Sequence, residues 1–124
     1  MVRDRLPRVL IIDDQPVMAR SMARVFDGEA EVTMAGSGDD ALALIECGER
    51  FDLVLCDVMM PNMTGLELFD RVRETHPDVA AAFVFATGGI PPEHRAKLDS
   101  TGVRCLFKPC PAHELRGLLR SSEV

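Results

Sequence analysis

The sequence predicts a single α/β domain in which helices cover both faces of a five-stranded parallel sheet. Three observations lead to this prediction. Five short apolar runs recur along the chain, amphipathic segments follow them, and 124 residues are enough for one domain with a sizeable core. A strand and a helix repeated five times are typical of a parallel sheet, because each crossover helix packs on one face of it.

The predicted strands are rich in Val, Ile, Leu and Phe, a composition typical of strands that are buried on both faces. Methionines, including Met34 in the second run, are expected to fill the core. The five runs are RVLII (8–12), EVTMA (31–35), LVLC (53–56), AFVFA (82–86) and VRCLF (103–107). Five such strands allow the doubly wound, flavodoxin-like order 2-1-3-4-5, with the first and third strands as neighbours.

Five helices are predicted from apolar residues at helical spacing. The fourth is the weakest, with only Ala96 and Leu98 on its apolar face, and Pro92 and Pro111 suit the first turns of the last two. The expected helices cover residues 16–26, 39–47, 66–74, 92–100 and 111–120. About seven residues before the first strand are expected to form a solvated arm of the single domain, residues 1–124.

The composition argues against two classes of partner. The formal net charge is −6 and the chain has no Trp or Tyr, whereas nucleic-acid binding needs clustered cations and stacking rings. No apolar stretch approaches membrane-spanning length and no signal-peptide pattern leads the chain. Four cysteines without C-x-x-C spacing predict reduced, buried thiols in a cytoplasmic protein. The acidic balance suits a metal cation or a basic protein surface.

Polar residues follow four of the predicted strands. Asp13 and Asp14 follow the first strand, Asp57 the third, Thr87 the fourth and Lys108 the fifth. Taken singly, these residues have ordinary roles, such as a helix cap or turn former for the acids and a surface position for the lysine. Because the carboxyl ends of parallel strands meet at one edge, their combination predicts a shared pocket.

The predicted pocket has a specific chemistry. Three adjacent carboxylates repel one another, so some are protonated or a cation lies among them, and hard oxygen ligands suit Mg²⁺ or Mn²⁺. Beside such an ion, Asp57 has the features of a nucleophile that forms an acyl phosphate. Thr87 could donate a hydrogen bond to a phosphoryl oxygen, and Lys108 could supply a positive charge to another.

The strand-end residues lie in four longer stretches. These are VLIIDDQP (9–16), LVLCDVMMPNMTGLE (53–67), VFATGG (84–89) and LFKPCP (106–111). Together with their spacings, which span nearly the whole chain, they make the sequence resemble the response-regulator receiver domains of two-component signalling. The TGG triplet is similar to that of receivers attached to hybrid histidine kinases.

The resemblance implies a role for each strand-end residue. Asp57 would accept a phosphoryl group from a phosphohistidine on a histidine kinase or a phosphotransfer protein, and would later lose it by autodephosphorylation. Asp14 would bind Mg²⁺ directly, Asp13 largely through water, and the carbonyl of Met59 would complete the protein ligands together with Asp57. The chain would then be a phosphorylation-activated switch and not a turnover enzyme.

Two further residues complete the implied mechanism. Thr87 would move to form a hydrogen bond with the phosphoryl group, and Lys108 would pair with that group. The Lys108–Pro109 peptide bond would be cis. Strand 5 and the last helix would form a face for a partner or a homodimer. The chain is expected to be a stand-alone regulator or a receiver cut from a larger protein, and the sequence does not identify its kinase.

The sequence departs from the receiver pattern at two places. Cys105 stands where receivers usually carry Tyr or Phe three residues before the strand-5 lysine. This departure predicts that the output surface responds weakly, or that it responds through movement of the loop and the fourth predicted helix instead. Met59 and Gly89 stand two residues after the acceptor and the threonine. Since neither carries an acid, an amide or a base, we predict unassisted hydrolysis of the phosphoryl group at a slow to moderate rate.

Two other functions are compatible with parts of the pattern. An aspartyl-phosphate phosphatase of the haloacid-dehalogenase type also uses Mg²⁺ and a carboxylate nucleophile, but it places a D-x-D pattern after its first strand and needs a substrate cap. A flavodoxin-like cofactor carrier needs a phosphate-binding loop where this chain has two acids. A receiver fold that only docks partners usually loses the acceptor or the metal acids, all of which are present here.

Overall fold

The computed structural model describes residues 5–122. Five parallel strands form one sheet in the order β2-β1-β3-β4-β5, which confirms the predicted topology. The strands are β1 (Arg8–Ile12), β2 (Glu31–Ala35), β3 (Leu53–Cys56), β4 (Phe83–Thr87) and β5 (Cys105–Phe107). The helices are α1 (Pro16–Val25), α2 (Gly38–Glu46), α3 (Gly65–Thr75), α4 (Pro77–Ala80), α5 (Pro92–Thr101) and α6 (Ala112–Ser122).

The sheet separates two apolar cores because side chains alternate along each strand. Leu10 and Ile12 of β1 point to the core that is covered by α2, α3, α4 and α5. Val9 and Ile11 point to the opposite core, which is covered by α1 and α6. The central strands β1 and β3 are buried on both faces, and they hold the strand ends in a rigid frame.

The helices begin where the sequence supplies caps. Thr64 and Glu67 form a capping box at the start of α3, in which each side chain accepts from the other residue's backbone N–H. Ser37 accepts a hydrogen bond from the backbone N–H of Asp40 and so caps α2. Pro16 and Pro92 open α1 and α5, in agreement with first-turn positions for proline.

The sequence analysis predicted five helices, one fewer than the structure contains within its described residues. The described residues contain six helices, because the four-residue helix α4 follows α3 directly. Pro77 cannot donate to α3 and has a φ angle suited to a first turn, so the chain starts again at that residue. A helix of four residues is too short to show an apolar period in the sequence.

The prediction that each strand is buried on both faces was wrong for the edge strand β2. Only Ala35 of that strand is buried, and Met34, which was expected in the core, is 50% exposed. An edge strand has a neighbour on one side only, so the helices cover it incompletely. β5 forms the other edge, where Phe107 is 55% exposed.

The cysteines and the chain start differ in part from expectation. The four cysteines are free, but Cys47 is exposed and Cys56 alone is fully buried. Of the predicted N-terminal arm, residues 1–4 lie outside the described residues, Leu6 is exposed, and Pro7 is buried. Within residues 5–122 there is no helix with the length and apolar character that crossing a membrane requires.

Candidate functional site

The carboxyl ends of β1 and β3 fix the backbones of two acids. Asp13 directly follows β1, and its N–H donates to the carbonyl of Ala35 at 3.1 Å. Asp57 directly follows β3, and its N–H donates to the carbonyl of Ile12 at 2.9 Å. The ladder of the sheet therefore continues through both residues and holds their side chains at neighbouring positions above the sheet edge.

The ammonium group of Lys108 reaches both of these acids. Its Nζ lies 2.6 Å from Oδ2 of Asp13 and 3.6 Å from Oδ2 of Asp57. All three side chains are almost completely buried, and the backbone N–H of Lys108 donates to the carbonyl of Thr87 at 2.8 Å. The Lys108–Pro109 bond is cis, as the resemblance implies.

Negative charge exceeds positive charge at this edge. Asp13, Asp14 and Asp57 each offer a carboxylate oxygen, and the three oxygens lie within 4.8 Å of one another. Burial raises the pKa of Asp57, the charge of Lys108 acts in the opposite direction, and the charges of Asp13 and Asp14 raise the pKa further. Three hard oxygen donors with uncompensated charge fit a divalent cation of the Mg²⁺ type, so the donor set could hold such an ion.

The pocket above Asp57 has a volume of about 410 Å³. Met59, Thr87 and Lys108 line it together with Asp57, so four of the six site residues that the sequence singled out meet at this pocket. Asp13 is buried beneath Lys108, and Asp14 is more accessible to solvent. Gln15 and Met18 form another side of the pocket, nearest to α1.

Thr87 is buried and its hydroxyl is bonded within its own loop. Oγ1 donates to the carbonyl of Gly89 at 3.0 Å and lies 3.4 Å from the N–H of the same residue. The hydroxyl is therefore available to the pocket only when it exchanges this carbonyl for another acceptor. Gly88 and Gly89 carry no side chains that would obstruct such a movement.

Gly65 is a site residue that the sequence analysis missed. A Cβ atom at Gly65 would lie 2.2 Å from the carbonyl oxygen of Asp57, so only glycine allows the loop after β3 to return this closely. The Gly65 N–H donates to the carbonyl of Val58 at 2.8 Å, and Cys56 Sγ donates to the Asp57 carbonyl at 3.3 Å. The Thr-Gly pair that opens α3 was the available signal.

The position of the missing aromatic residue is also defined. Cys105 pairs with Phe85 in the register of β4 and β5, is partly buried, and packs against the core beneath α5. Phe107 pairs with Thr87 but projects largely into solvent. Cys105 therefore lies opposite Phe85, two register positions before Thr87, and it supplies a small thiol where the receiver pattern has a ring.

This fold and this set of strand-end residues define a class of α/β signalling domains and not a metabolic enzyme. Residues 9–120 match the family model described as the response regulator receiver domain. The chain belongs to this family. The alternatives of a haloacid-dehalogenase phosphatase and a flavodoxin-like cofactor carrier are accordingly not supported.

Individual relatives agree with the family assignment. The probable transcriptional regulatory protein TcrX of Mycobacterium tuberculosis is 34% identical over 122 residues, which are 94% of this chain and 51% of that protein. The sensor histidine kinase TmoS of Ectopseudomonas mendocina is 38% identical over 112 residues, which are 89% of this chain and 11% of that protein. The chain thus spans about half or less of the length of these curated relatives.

Solved structures show the same fold. A CheY-like response regulator receiver domain protein from Methanospirillum hungatei has a TM-score of 0.82 at 28% identity, over 96% of this chain and 98% of that one. The chemotaxis protein CheY4 of Vibrio cholerae has a TM-score of 0.81 at 28% identity, over 95% and 99% of the two chains. The doubly wound architecture is therefore shared along nearly the whole length of these domains.

Proposed function

We propose that Asp57 accepts a phosphoryl group from a phosphohistidine and that the chain works as a phosphorylation-activated switch. The donor is a histidine kinase or a histidine phosphotransfer protein, and the reaction requires Mg²⁺, for which Mn²⁺ can substitute. One observation carries the proposal: three carboxylates and a buried ammonium group lie together at the carboxyl ends of the strands, beside the pocket above Asp57.

The phosphotransfer is a displacement at phosphorus. A carboxylate oxygen of Asp57 attacks the phosphorus atom, an O–P bond forms, and the P–N bond breaks with its electron pair passing to the imidazole. Hydrolysis returns the switch to its inactive state. Water attacks the phosphorus and releases inorganic phosphate and the free carboxylate. The chain itself catalyses both steps, but it is not a conventional turnover enzyme.

The acids around Asp57 would hold the ion. Asp14 and Asp57 would bind it directly, Asp13 largely through water, and the carbonyl of Met59 would complete the protein ligands. The bound ion would supply positive charge for the phosphoryl oxygens. The raised pKa of Asp57 supports this assignment, because the carboxylate must be ionised to attack and a cation favours its ionised form.

Thr87 and Lys108 would bind the transferred group. Lys108 Nζ lies 3.6 Å from Oδ2 of Asp57, so a small movement brings it to a phosphoryl oxygen there. Thr87 would exchange its bond to the carbonyl of Gly89 for a bond to another phosphoryl oxygen. The exchange couples the chemical state of Asp57 to the loop that leads from β4 to α5.

The wider setting is proposed from family membership alone. The chain, residues 1–124, would act as one cytoplasmic receiver domain, either by itself or as part of a longer protein. It would receive phosphate from a kinase or phosphotransfer partner, without direct contact with nucleic acid or insertion into a membrane. The surface of β5 and α6 would serve an output partner or a homodimer.

The decisive experiment is adduct formation. Incubation of the purified chain with acetyl phosphate and Mg²⁺ should add one phosphoryl group in intact-mass spectra, and beryllofluoride should give a bound fluorine signal in NMR. Asp57→Ala should abolish both adducts, whereas Asp78→Ala, at an exposed acid of α4, should leave them unchanged. An adduct that persists in Asp57→Ala would refute the proposal.

A further inference from the structure

Besides Asp57, Thr87 and Lys108, six residues line the pocket above Asp57, and only one of the six has a polar side chain. The six are Gln15, Met18, Met59, Gly88, Gly89 and Pro109. The methionines, the glycines and the proline have side chains that supply no hydrogen-bond donor and no strong acceptor. The carboxamide of Gln15 is the exception, because it carries two N–H donors and a carbonyl acceptor.

The backbone of Gln15 is held beside the acids. Its N–H donates to Oδ1 of Asp13 at 3.0 Å, and its carbonyl accepts from the N–H of Ala19 at 3.0 Å. Pro16, the next residue, opens α1 with a fixed φ angle. Both backbone groups of Gln15 are therefore used, so its side chain is what this residue offers to the pocket.

The side chain of Gln15 does not take the structural role that its position offers. Gln15 is the N-cap residue of α1, where Ser, Thr, Asp or Asn usually accepts a hydrogen bond from the first turn, but its side chain forms no such bond. Within residues 5–122 its carboxamide has no hydrogen-bond partner, and the residue is exposed. The chain thus forgoes a helix cap and carries a longer amide at the rim of the pocket.

Phosphoryl transfer places two atoms in line with the phosphorus. One is the oxygen of Asp57, and the other is the departing atom of the donor or, later, the oxygen of the attacking water. Asp57 is only 8% exposed and the pocket opens above it, so the line from its oxygen through the phosphorus leads toward the opening. Gln15, which lines the pocket and is exposed, stands on that open side.

We propose that the carboxamide of Gln15 binds this second in-line atom, an inference that rests on the proposed phosphorylation of Asp57. On phosphorylation, its N–H donates to the departing atom, which keeps the electron pair of the broken bond to phosphorus. On hydrolysis, its carbonyl accepts a hydrogen bond from the attacking water. The O–P bond to Asp57 then breaks with its electron pair returning to the carboxylate, and the water proton passes to a phosphate oxygen. Gln15 itself gains or loses no proton.

Gln15 modifies the expectation of unassisted hydrolysis. That expectation considered only Met59 and Gly89, the positions two residues after the acceptor and the threonine. The start of α1 forms a further wall of the same pocket and brings one amide to it. An amide can orient water but cannot take its proton, so we expect a contribution of about tenfold, below the roughly hundredfold effect of a general base.

The first test compares Gln15→Leu with the wild-type chain. Phosphorylation by acetyl phosphate and Mg²⁺, followed by intact mass, and loss of phosphate after removal of the donor should both slow by about tenfold. Beryllofluoride, which bonds to the acceptor carboxylate but has no departing group, should bind with unchanged affinity in a fluorine NMR titration. Unchanged rates, or a loss of beryllofluoride affinity as large as the loss of rate, would overturn the proposal.

The second test separates the two ends of the amide. A carboxylate can accept a hydrogen bond from water but cannot donate one to a departing atom. Gln15→Glu should therefore slow phosphorylation by about tenfold and leave hydrolysis at the wild-type rate. Equal slowing of both reactions in Gln15→Glu would contradict the proposal.

Two controls complete the experiment. Ser21→Leu, at an exposed polar residue of α1 that does not line the pocket, should leave both rates unchanged, and slowing equal to that of Gln15→Leu would contradict the proposal. The wild-type chain separates this inference from the proposed function. If it forms no adduct, the proposed function fails, whereas an adduct that forms and decays at the same rates in Gln15→Leu refutes the role of Gln15 alone.

Discussion

Asp57 combines burial with like charge, and this combination is unfavourable in the folded chain. Its side chain is nearly buried and shares its surroundings with Asp13 and Asp14. Lys108 compensates only in part, because its ammonium group lies closer to Asp13 than to Asp57. The pKa of Asp57 is therefore raised, and the folded state binds a proton there more readily than the unfolded state.

The raised pKa predicts that Asp57→Asn stabilises the metal-free chain at pH 7. The ionised carboxyl is costly only in the folded state, so removal of its charge should raise the free energy of unfolding by about 1 kcal/mol. The gain should shrink as the pH falls through the raised pKa of the folded state and vanish below the unfolded pKa of about 3.9, where the wild-type carboxyl is protonated in both states. Urea unfolding in EDTA at several pH values measures this difference.

A matched control separates this effect from general loss of negative charge. Asp27→Asn removes the charge of an exposed carboxylate in the turn after α1 and should change stability by no more than about 0.5 kcal/mol. If Asp27→Asn stabilises the chain as much as Asp57→Asn does, the effect belongs to the net charge and not to the buried site.

Met59 lines the pocket beside Asp57, and we expect it to control how water reaches the proposed phosphoryl group. Its side chain has no polar group to orient a water molecule, and Gly89 supplies none from the other side. Met59→Asn should shorten the lifetime of the phosphoryl group by about tenfold, which is less than the roughly hundredfold effect of a general base, because an amide can orient the water molecule but cannot take its proton. Loss of phosphate from the acetyl-phosphate-treated chain measures this, and Met59→Leu should leave the lifetime unchanged.

At the level of elements, the turn from β3 into α3 depends on a single close approach. The loop leaves the sheet at Asp57, passes Asn62 in the left-handed region, and returns so that Gly65 touches the Asp57 carbonyl. The capping box of Thr64 and Glu67 then starts α3 at a fixed point. The position of the acceptor backbone is thus set from both sides, by β1 and by the start of α3.

Gly65→Ala should be strongly destabilising for this reason. The added methyl group would lie 2.2 Å from a backbone oxygen, which cannot turn aside as a flexible side chain can. We expect a loss of about 2–3 kcal/mol in the free energy of unfolding, and a slower phosphorylation of the fraction that folds. Gly36→Ala, where no atom lies within 4 Å of the new methyl group, is the control and should be nearly neutral.

The elements also show what the sequence could and could not predict. Strands β1 and β3 were predictable because an unbroken apolar run in a doubly wound sheet indicates a strand that is buried on both faces. Asp13 and Asp57 directly follow these two strands. The edge position of β2 was implied by the order 2-1-3-4-5, but the composition of EVTMA conceals its exposure. The role of Gly65 could not be deduced, because it depends on the distance between two loop segments that are eight residues apart.

At the level of the whole molecule, the proposed phosphorylation of Asp57 would have to be communicated from the strand ends to an output surface. Thr87 is the first link, since its hydroxyl has a loop partner that it could exchange. Cys105 occupies the position where the receiver pattern has an aromatic residue, and its side chain is too small to fill a space that a moving Thr87 would leave. Leu98 is the only buried residue of α5, and the link from α5 to α3 through Lys97 and Asp70 is a surface ion pair. α5 can therefore still respond to a movement of Thr87.

We therefore predict a switch that acts through the β4–α5 loop and α5 without a concerted shift of β5. NMR spectra with and without beryllofluoride and Mg²⁺ should show large changes from Gly88 through α5 and small ones in β5. Cys105→Tyr supplies a ring beside Thr87 and should extend the changes into β5, whereas Cys47→Tyr, on exposed α2, should not. A large shift of β5 in the wild-type chain would mean that another side chain replaces the ring, and Phe107, paired with Thr87, would then be the residue to truncate.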